Sequence, residues 1–291
     1  MSMEVWKINT FIKLALEEDI RNGDITSEAC ISKNSISKAK LLVKDEGVIA
    51  GVEFAQQVIN YVDSSIHMKI HIKDGSYVNY GQIAFELEGP TRILLAVERL
   101  ILNVMQRMSG IATLSDRFKN EVQGLSVKVL DTRKTSPLFR HFEKWAVRIG
   151  GCYNYRDGLF DWFMIKDNHI AAAGSIGKAI KKVVSYQQKN EMEQFPVTIE
   201  VKNLIELEEV LHFGQISRIM MDNFEIPILQ EGVKMVNGRF ETEASGGINL
   251  QNIRSVALTG VDFISVGALT HSAGSLDLSL KIQEHDLMLG K

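Results

Sequence analysis

The sequence has few of the features that mark secreted, membrane-spanning or nucleic-acid-binding proteins. Only two of its 291 residues are cysteines, and Cys30 and Cys152 match neither a disulfide framework nor a paired metal motif. No apolar run approaches the roughly 20 residues that a bilayer-spanning helix needs, and residues 1–18 contain no small-residue cleavage site. The formal charge of −3 gives no general attraction to nucleic acid or anionic membranes. We therefore expect a cytoplasmic protein with reduced thiols, in which any bound anion meets a local cationic cluster.

The length and the hydrophobic pattern leave room for one barrel or for two unequal domains. Apolar residues at helical spacing predict an amphipathic helix from Val5 to Glu18. Short β-like runs over residues 39–89, separated by Asp and Gly turn signals, predict a small antiparallel sheet region. Pro90 can begin a long apolar helix that continues to Ile111, and we expect this helix to connect two domains.

Six strand-like runs with helical segments between them follow the long helix. This alternation predicts parallel strands joined by right-handed crossovers. An open doubly wound sheet and a closed barrel both fit it. Each run ends in polar or Gly-rich residues, and a barrel brings all such ends to one mouth, which favours the barrel. The runs are VKVLDTR, FMIKDNH, VTIEVK, RIMMDN, RFETEASGG and DFISVGALT.

The strongest cationic cluster is the segment DTRKTSP at residues 131–137. Arg133 and Lys134 directly follow an apolar strand. A guanidinium binds carboxylate or phosphate through two parallel hydrogen bonds, and an ammonium supplies a compact charge. The combination predicts a ligand with several anionic groups. The next basic residues along the chain either extend this cluster or are solvated helix charges; they are Arg140, Lys144 and Arg148, and Arg156 follows them.

Further polar residues end the later strands. Lys166 could form a Schiff base, as in barrel aldolases, or hold phosphate, whereas we interpret His169 as structural. Glu200 and Asp222 end two successive strands, where they either balance the nearby cations or bind ribose hydroxyls and Mg²⁺. Small residues at the last two strand ends allow backbone N–H groups to approach a phosphate. These residues are Ser245, Gly246, Gly247 and Gly267.

In family order, the segments EEDIRNGDIT, DTRKTSP, EKWAVRIGG, IKDNHI, EASGGI and VGALTHSAGSLDLSLKI resemble the quinolinate phosphoribosyltransferase family, also called nicotinate-nucleotide pyrophosphorylase (carboxylating). The combination of DTRKT, KDNH and SGGI is highly specific, and the similarity extends from about Leu16 to Ile282. The resemblance implies an N-terminal α/β sandwich over residues 1–112, completed by a C-terminal helix over 272–291. It also implies an incomplete α/β barrel over residues 113–271, and a homodimer or higher homo-oligomer with active sites shared between subunits.

The resemblance assigns roles to individual residues. Arg99 is expected to reach the quinolinate pocket of the neighbouring subunit, and Arg133 and Arg156 to bind the carboxylates. The whole set expected to bind quinolinate or PRPP is Arg99, Thr132, Arg133, Lys134, Tyr155, Arg156, Lys166, Glu200, Asp222, Ser245, Gly246, Gly247 and Gly267. The residues expected to act in catalysis are Lys134, Lys166, Glu200 and Asp222, and the last two are also expected to hold Mg²⁺ with PRPP.

One position departs from the family pattern, which usually reads Asn-His-Arg where this chain reads Asn154, Tyr155 and Arg156. Tyr155 can still donate a hydrogen bond, but it carries no positive charge at neutral pH. We expect this change to alter the rate or the affinity for quinolinate and to leave the reaction class intact.

The implied reaction is the decarboxylating transfer of phosphoribosyl from PRPP to quinolinate. Its products are nicotinate mononucleotide, pyrophosphate and CO2, in NAD biosynthesis. A related pyrophosphorylase-like protein associated with molybdenum transport shares the DTRKT-type motif, although IKDNHI argues against it. A barrel aldolase would use Lys166 as a Schiff base. A non-catalytic sensor would bind quinolinate or PRPP without releasing pyrophosphate.

Overall fold

The computed structural model describes residues 5–283. The helices are α1 (Val5–Ile20), α2 (Ile25–Cys30), α3 (Val52–Val62), α4 (Thr91–Glu121), α5 (Arg140–Ile149), α6 (Asp167–Ala173), α7 (Ile176–Lys189), α8 (Leu204–Phe213), α9 (Ile226–Val236), α10 (Ile253–Ala257) and α11 (Ala268–His271). The strands are β1 (Ile36–Val43), β2 (Gly47–Val48), β3 (His67–Ile70), β4 (Tyr77–Val78), β5 (Ile83–Pro90), β6 (Lys128–Leu130), β7 (Phe163–Ile165), β8 (Val197–Val201), β9 (Arg218–Asp222), β10 (Glu241–Ser245), β11 (Phe263–Ser265) and β12 (Leu278–Ile282).

The chain forms two compact units. The described part of the first unit comprises residues 5–114, 141–150 and 273–283, and the second comprises residues 115–140 and 151–272. The sequence predicted a first domain of residues 1–112 with a C-terminal addition. It did not predict that residues 141–150 would join the first unit.

The antiparallel sheet predicted for the first unit is confirmed. Four strands lie in the order β12-β1-β5-β3, with antiparallel pairing between neighbours. Alternate residues of β1 are fully buried, namely Ala39, Leu41 and Val43, as the two-residue period of a strand with one core face requires. The predicted N-terminal helix is also present as α1, and Ile8 and Ile12 are buried.

The C-terminal helix expected over residues 272–291 is wrong where the structure describes this segment. Residues 278–282 form β12, which pairs with β1 from Leu278 opposite Val43 to Ile282 opposite Ala39. Apolar residues alternate with polar ones in LDLSLKI, and this period of two favours a strand over a helix. Residues 284–291 lie outside the described part of the chain.

Residues 141–150 belong to the first unit because their apolar side chains complete its core. The ring of Phe142 lies 4.6 Å from that of Phe11 and 5.2 Å from that of Phe54, measured between centroids. The neighbouring Glu143 is buried and accepts a hydrogen bond of 2.9 Å from Arg107. Burying these groups against α1, α3 and α4 holds the segment in the first unit.

The long helix predicted after Pro90 is confirmed as α4, which extends beyond Ile111 to Glu121. Its apolar residues recur at helical spacing and are buried, including Val97, Ile101 and Met108. Neither α4 nor any other helix within residues 5–283 is long and apolar enough to cross a bilayer. The cytoplasmic location stays a prediction.

The second unit is built on six parallel strands in the order β6-β11-β10-β9-β8-β7. All six correspond to the runs predicted from the sequence. In a flat sheet, four strand spacings of about 4.8 Å would separate β6 from β8. Tyr155, however, is tied through its backbone N–H to Asp131 at the end of β6, and its hydroxyl lies 2.9 Å from the hydroxyl of Thr198 on β8. The sheet is therefore rolled into a barrel, which stays open between β6 and β7 because no strand ladder joins them in the described chain.

Candidate active site

The strand register places several of the predicted site residues on one face of the barrel sheet. Glu200 on β8 lies opposite Met220 on β9, and Asp222 follows Met220 by two residues. Ser245 on β10 lies opposite Asp222. Because side chains of a strand alternate between faces, all three point to the same side, at the carboxyl ends of adjacent strands. The sequence prediction that these ends converge is thus supported for β8, β9 and β10.

Arg133 and Arg156 form a cationic pair in the second unit. Arg156 is only 8% exposed, and its guanidinium donates to the backbone oxygen of Trp162 at 3.2 Å. Burial lowers the pKa of Arg156, and the nearby charge of Arg133 lowers it further. Nε of Arg133 is buried and has no hydrogen-bond partner in residues 5–283. A buried donor without a partner costs stability, so this pair is suited to a ligand that supplies anionic oxygens.

Lys134 lies beside the loop that follows β11. The backbone oxygen of Lys134 accepts a hydrogen bond of 2.8 Å from Thr270. A Cβ added to Gly267 would lie 3.2 Å from Cδ of Lys134 and 3.0 Å from Nε2 of His271. The absence of a Cβ favours this close approach, and the structure brings Lys134 and Gly267 together as predicted. His271 is a missed site neighbour, whose only sequence signal is its place in the VGALTHS segment.

Lys166 and Glu200 form an ion pair in which Nζ of Lys166 donates to Oε2 of Glu200. The backbone N–H of Lys166 donates to Nδ1 of His169 at 3.0 Å. His169 thereby caps the first turn of α6, which agrees with its structural interpretation. Thr132 also accepts a local backbone hydrogen bond: its hydroxyl accepts a hydrogen bond of 3.1 Å from the backbone N–H of Lys134.

The loops after β9 and β10 contact each other through Asn223. Its side-chain amide donates to Asp222 at 2.6 Å, and its backbone N–H donates to the oxygen of Ser245 at 2.8 Å. Gly246 has a φ of +94°, and a Cβ there would lie 2.2 Å from Oδ1 of Asn223. Gly247 has a φ of +62° and open space where its Cβ would be. This backbone leaves room for a phosphate to approach.

Metal ligands were expected at Glu200 and Asp222. No group of three or more His, Cys, Asp and Glu side chains that could hold a metal occurs in the part of the chain that the structure describes. Two carboxylates on one face nevertheless suit Mg²⁺, which proteins bind through one or two carboxylates together with substrate phosphates. The residues therefore fit a magnesium ion that arrives with PRPP, and this site stays a prediction.

The remaining basic residues differ in their surroundings. Arg140 donates to Thr135 at 3.0 Å and to the backbone oxygen of Asp157 at 2.8 Å, so it connects two loops of the second unit. Lys144 is only 2% exposed, which makes the solvated alternative wrong for this residue. Arg148 is exposed, and Arg99 is exposed on the part of α4 that belongs to the first unit. The role expected for Arg99 stays a prediction.

The barrel interior contains a charged network that the sequence reasoning missed. The side chain of Arg218 is 5% exposed and pairs with the fully buried Glu243 at 3.2 Å and with Glu241 at 2.8 Å. Its guanidinium lies 3.6 Å from the ring centroid of Phe263. Burial raises the pKa of Glu243, although Ser265 and Arg218 oppose that shift. The available sequence signal was charge inside otherwise apolar strands, in RIMMD and FETEAS.

A rolled parallel sheet with a cationic pair, two carboxylates and an open glycine loop defines an α/β-barrel protein whose site is suited to a polyanionic ligand. Comparison with known proteins identifies the family. The model of the quinolinate phosphoribosyl transferase N-terminal domain matches residues 24–109, and that of the C-terminal domain matches residues 111–281. The chain belongs to the quinolinate phosphoribosyltransferase family.

Individual relatives agree with this assignment. A chloroplastic nicotinate-nucleotide pyrophosphorylase [carboxylating] of Arabidopsis thaliana is 42% identical, over 97% of this chain and 84% of that protein. The crystal structure of NadC from Streptococcus pyogenes is similar with a TM-score of 0.90 and 36% identity, over 98% of this chain and 100% of that one. The nicotinate-nucleotide pyrophosphorylase structure from Francisella tularensis gives a TM-score of 0.89 and 37% identity, over 97% and 98%.

Proposed function

We propose that the chain transfers the phosphoribosyl group of PRPP to quinolinate with loss of CO2, forming nicotinate mononucleotide and pyrophosphate. The observation that carries the proposal is the pairing of the buried Arg156 with Arg133, whose Nε is buried without a partner in residues 5–283, in a chain that matches the family over both of its domains. Quinolinate is a dicarboxylate, and two guanidiniums can each hold one carboxylate through paired hydrogen bonds. The family match also favours this reaction over the molybdenum-associated alternative.

Binding of PRPP is assigned to the remaining groups of the mouth. Gly246, Gly247 and Gly267 leave backbone N–H groups accessible to the 5′-phosphate. Lys134 and Lys166 supply ammonium groups for the phosphates. When a phosphate competes for Lys166, its present partner Glu200 becomes available to ribose hydroxyls. Magnesium held by Glu200 and Asp222 would neutralise charge on the pyrophosphate.

In the transfer, the ring nitrogen of quinolinate attacks C1 of the ribose. The bond from C1 to the pyrophosphate oxygen breaks, and pyrophosphate leaves with the electron pair. Glu200 and Asp222 stabilise the positive charge that develops on the ribose. The pyridinium ring then accepts the electrons of the bond to the adjacent carboxylate, CO2 leaves, and a proton from water takes its place. No protein nucleophile is needed, and the arginines act by holding the dicarboxylate in position.

The decisive experiment incubates the protein with quinolinate, PRPP and Mg²⁺ and measures nicotinate mononucleotide, pyrophosphate and CO2. All three should form in equal amounts. Nicotinate should be a poor substrate, because it lacks the second carboxylate and would leave a guanidinium unpaired. Binding of quinolinate and PRPP without products would instead support the non-catalytic sensor.

The aldolase alternative makes a separate prediction for Lys166. Nζ of Lys166 is held in an ion pair with Glu200, whereas a Schiff base requires a lysine nitrogen that is free to attack a carbonyl carbon. Treatment with borohydride and a carbonyl substrate should therefore give no adduct at Lys166. A trapped adduct would support the aldolase.

We also propose that Arg99 acts in the active site of a partner subunit. To test this, Arg99→Ala chains are mixed with Arg133→Ala chains, each nearly inactive alone. If the two residues come from different chains, each mixed dimer has one intact site. About half of the dimers are mixed, so roughly a quarter of wild-type activity should return. If mixed dimers form, as native mass spectrometry can show, and no activity returns, the shared site is excluded.

A further inference from the structure

Tyr155 links the end of the edge strand β6 to β8, the neighbour of the other edge strand β7. Just before it, Tyr153 extends the sheet beyond β6 through a parallel bridge to Leu130. The backbone N–H of Tyr155 then donates to Oδ1 of the buried Asp131 at 2.8 Å. At the other end of the residue, the hydroxyl lies 2.9 Å from Oγ1 of Thr198 on β8. One residue therefore connects the end of β6 with β8.

Thr198 also accepts a hydrogen bond from Trp162, which follows Arg156 in the chain. Nε1 of Trp162 donates to Oγ1 of Thr198 at 2.9 Å, and the backbone oxygen of Trp162 accepts from Arg156 at 3.2 Å. The rings of Tyr155 and Trp162 meet edge to face, with centroids 5.4 Å apart. Arg156 thus follows Tyr155 in the chain and donates to Trp162, and both of these residues are hydrogen-bonded to Thr198.

We propose that Tyr155 is a positioning residue for Arg156: its bond to Thr198 fixes the arginine in the orientation that binds a carboxylate of quinolinate. The inference rests on the proposed function. It changes the role expected for Tyr155: the residue does not contact quinolinate itself but positions Arg156, which does.

Charge explains why a fixed support is needed here. Arg133 and Arg156 repel each other, and a buried guanidinium gains solvation by rotating out of the protein. The anchored backbone just before Arg156 opposes that rotation, and so does the backbone oxygen of Trp162, which accepts a hydrogen bond from the guanidinium. A neutral tyrosine suits the position, because the guanidinium of Arg218 lies 5.2 Å from its ring centroid. An aromatic face attracts that cation, whereas a further positive charge would repel it.

The test compares the variants Tyr155→Phe, Thr198→Val, the double variant and Thr198→Ser. KM for quinolinate should rise by at least about three- to tenfold in Tyr155→Phe, because one lost hydrogen bond corresponds to that range and the Tyr155 side chain also bonds Glu243. Thr198→Val should also raise this KM, because it removes the partner of Tyr155 and the acceptor of Trp162. The double variant should raise KM by less than the product of the two single effects, because both changes break the bond between Tyr155 and Thr198. Thr198→Ser retains the hydroxyl and should restore a KM close to that of the wild type.

Comparing KM for quinolinate with KM for PRPP distinguishes a positioning role of Tyr155 from a general structural role. KM for PRPP should change little in all four variants. Additive effects in the double variant would show that Tyr155 acts independently of Thr198, and an unchanged KM in Thr198→Val would show direct contact with quinolinate. Either result overturns the inference, as does a parallel rise of both KM values. An inactive wild-type protein overturns the proposed function together with the inference, so the two failures are distinguishable.

Discussion

Replacing Arg218 with methionine would remove the positive charge from the barrel interior while retaining much of the side chain's volume. Arg218 is 5% exposed and its partner Glu243 is fully buried, so the variant leaves a buried carboxylate without a counter-charge. Removing one partner of a buried ion pair costs about 3 to 5 kcal/mol. Glu241 should contribute little to this cost, because its side chain is 49% exposed and water screens its charge.

For a chain of this size, such a loss should lower the melting temperature by roughly 6 to 20 °C. The loss of stability in Arg218→Met should depend on pH. Burial already raises the pKa of Glu243 above its ordinary value of 4.5, and removal of Arg218 raises it further. Below its unfolded-state pKa, the carboxyl group of Glu243 is protonated in both the folded and the unfolded protein, so its burial carries no charge penalty. Stability is then lost as the pH rises through the folded-state pKa. Arg218→Met should therefore be less impaired at pH 5 than at pH 8.

Calorimetric unfolding at both pH values checks this reasoning. The double variant Arg218→Met/Glu243→Gln should be more stable at pH 8 than Arg218→Met alone, because no charge is left buried. Glu241→Gln serves as the matched control and should cost far less than Glu243→Gln. An equal deficit of Arg218→Met at pH 5 and pH 8, or equal losses in the two glutamine variants, would refute the assignment of the cost to Glu243.

Three further predictions concern the site and the thiols. Gly246→Val should raise KM for PRPP more than KM for quinolinate, because its Cβ would lie 2.2 Å from Oδ1 of Asn223 in a backbone with positive φ; steady-state kinetics decides, and an equal rise of both indicates misfolding. Arg133→Ala should lower kcat/KM by well over tenfold, since a charge-assisted contact contributes about 2 to 4 kcal/mol, and near-normal kcat/KM would remove Arg133 from the pocket. Iodoacetamide should label the exposed Cys30 in the folded protein and spare Cys152, whose burial raises its pKa to about 12; mass spectrometry of the labelled peptides tests this.

The parallel strands could be predicted because they carry a clear local signal, and the polar residues at their ends favoured a barrel over an open sheet. Runs such as VTIEV and RIMMD are apolar, short and separated by helical segments, and parallel strands buried on both faces have that texture. The positions of Glu200 and Asp222 follow from the same pattern, because a polar residue at the carboxyl end of a parallel strand lies at the mouth. The resemblance then supplied roles that the pattern left open, among them the choice between a Schiff base and phosphate binding at Lys166.

Other parts depended on contacts between residues distant in sequence. The period of two in LDLSLKI is visible, but the resemblance suggested a helix, and only the free edge of β1 explains why the segment pairs as a strand. Phe142 joins the first unit through rings that lie far from it along the chain. No local pattern predicts that Tyr155 meets Thr198, because that contact exists only once the sheet has rolled.

The second unit arranges its buried charges in two contrasting ways. Inside the barrel, Arg218 is matched by two carboxylates and an aromatic face, so its charge is compensated within the fold. At Arg133 and Arg156, two neighbouring guanidiniums lie together and the buried Nε of Arg133 has no partner in the described chain. Buried charge of one sign destabilises a fold unless something compensates it. Asp161 offsets part of the charge on Arg156, and a dicarboxylate held by both guanidiniums would supply further negative charge, as the proposed function requires.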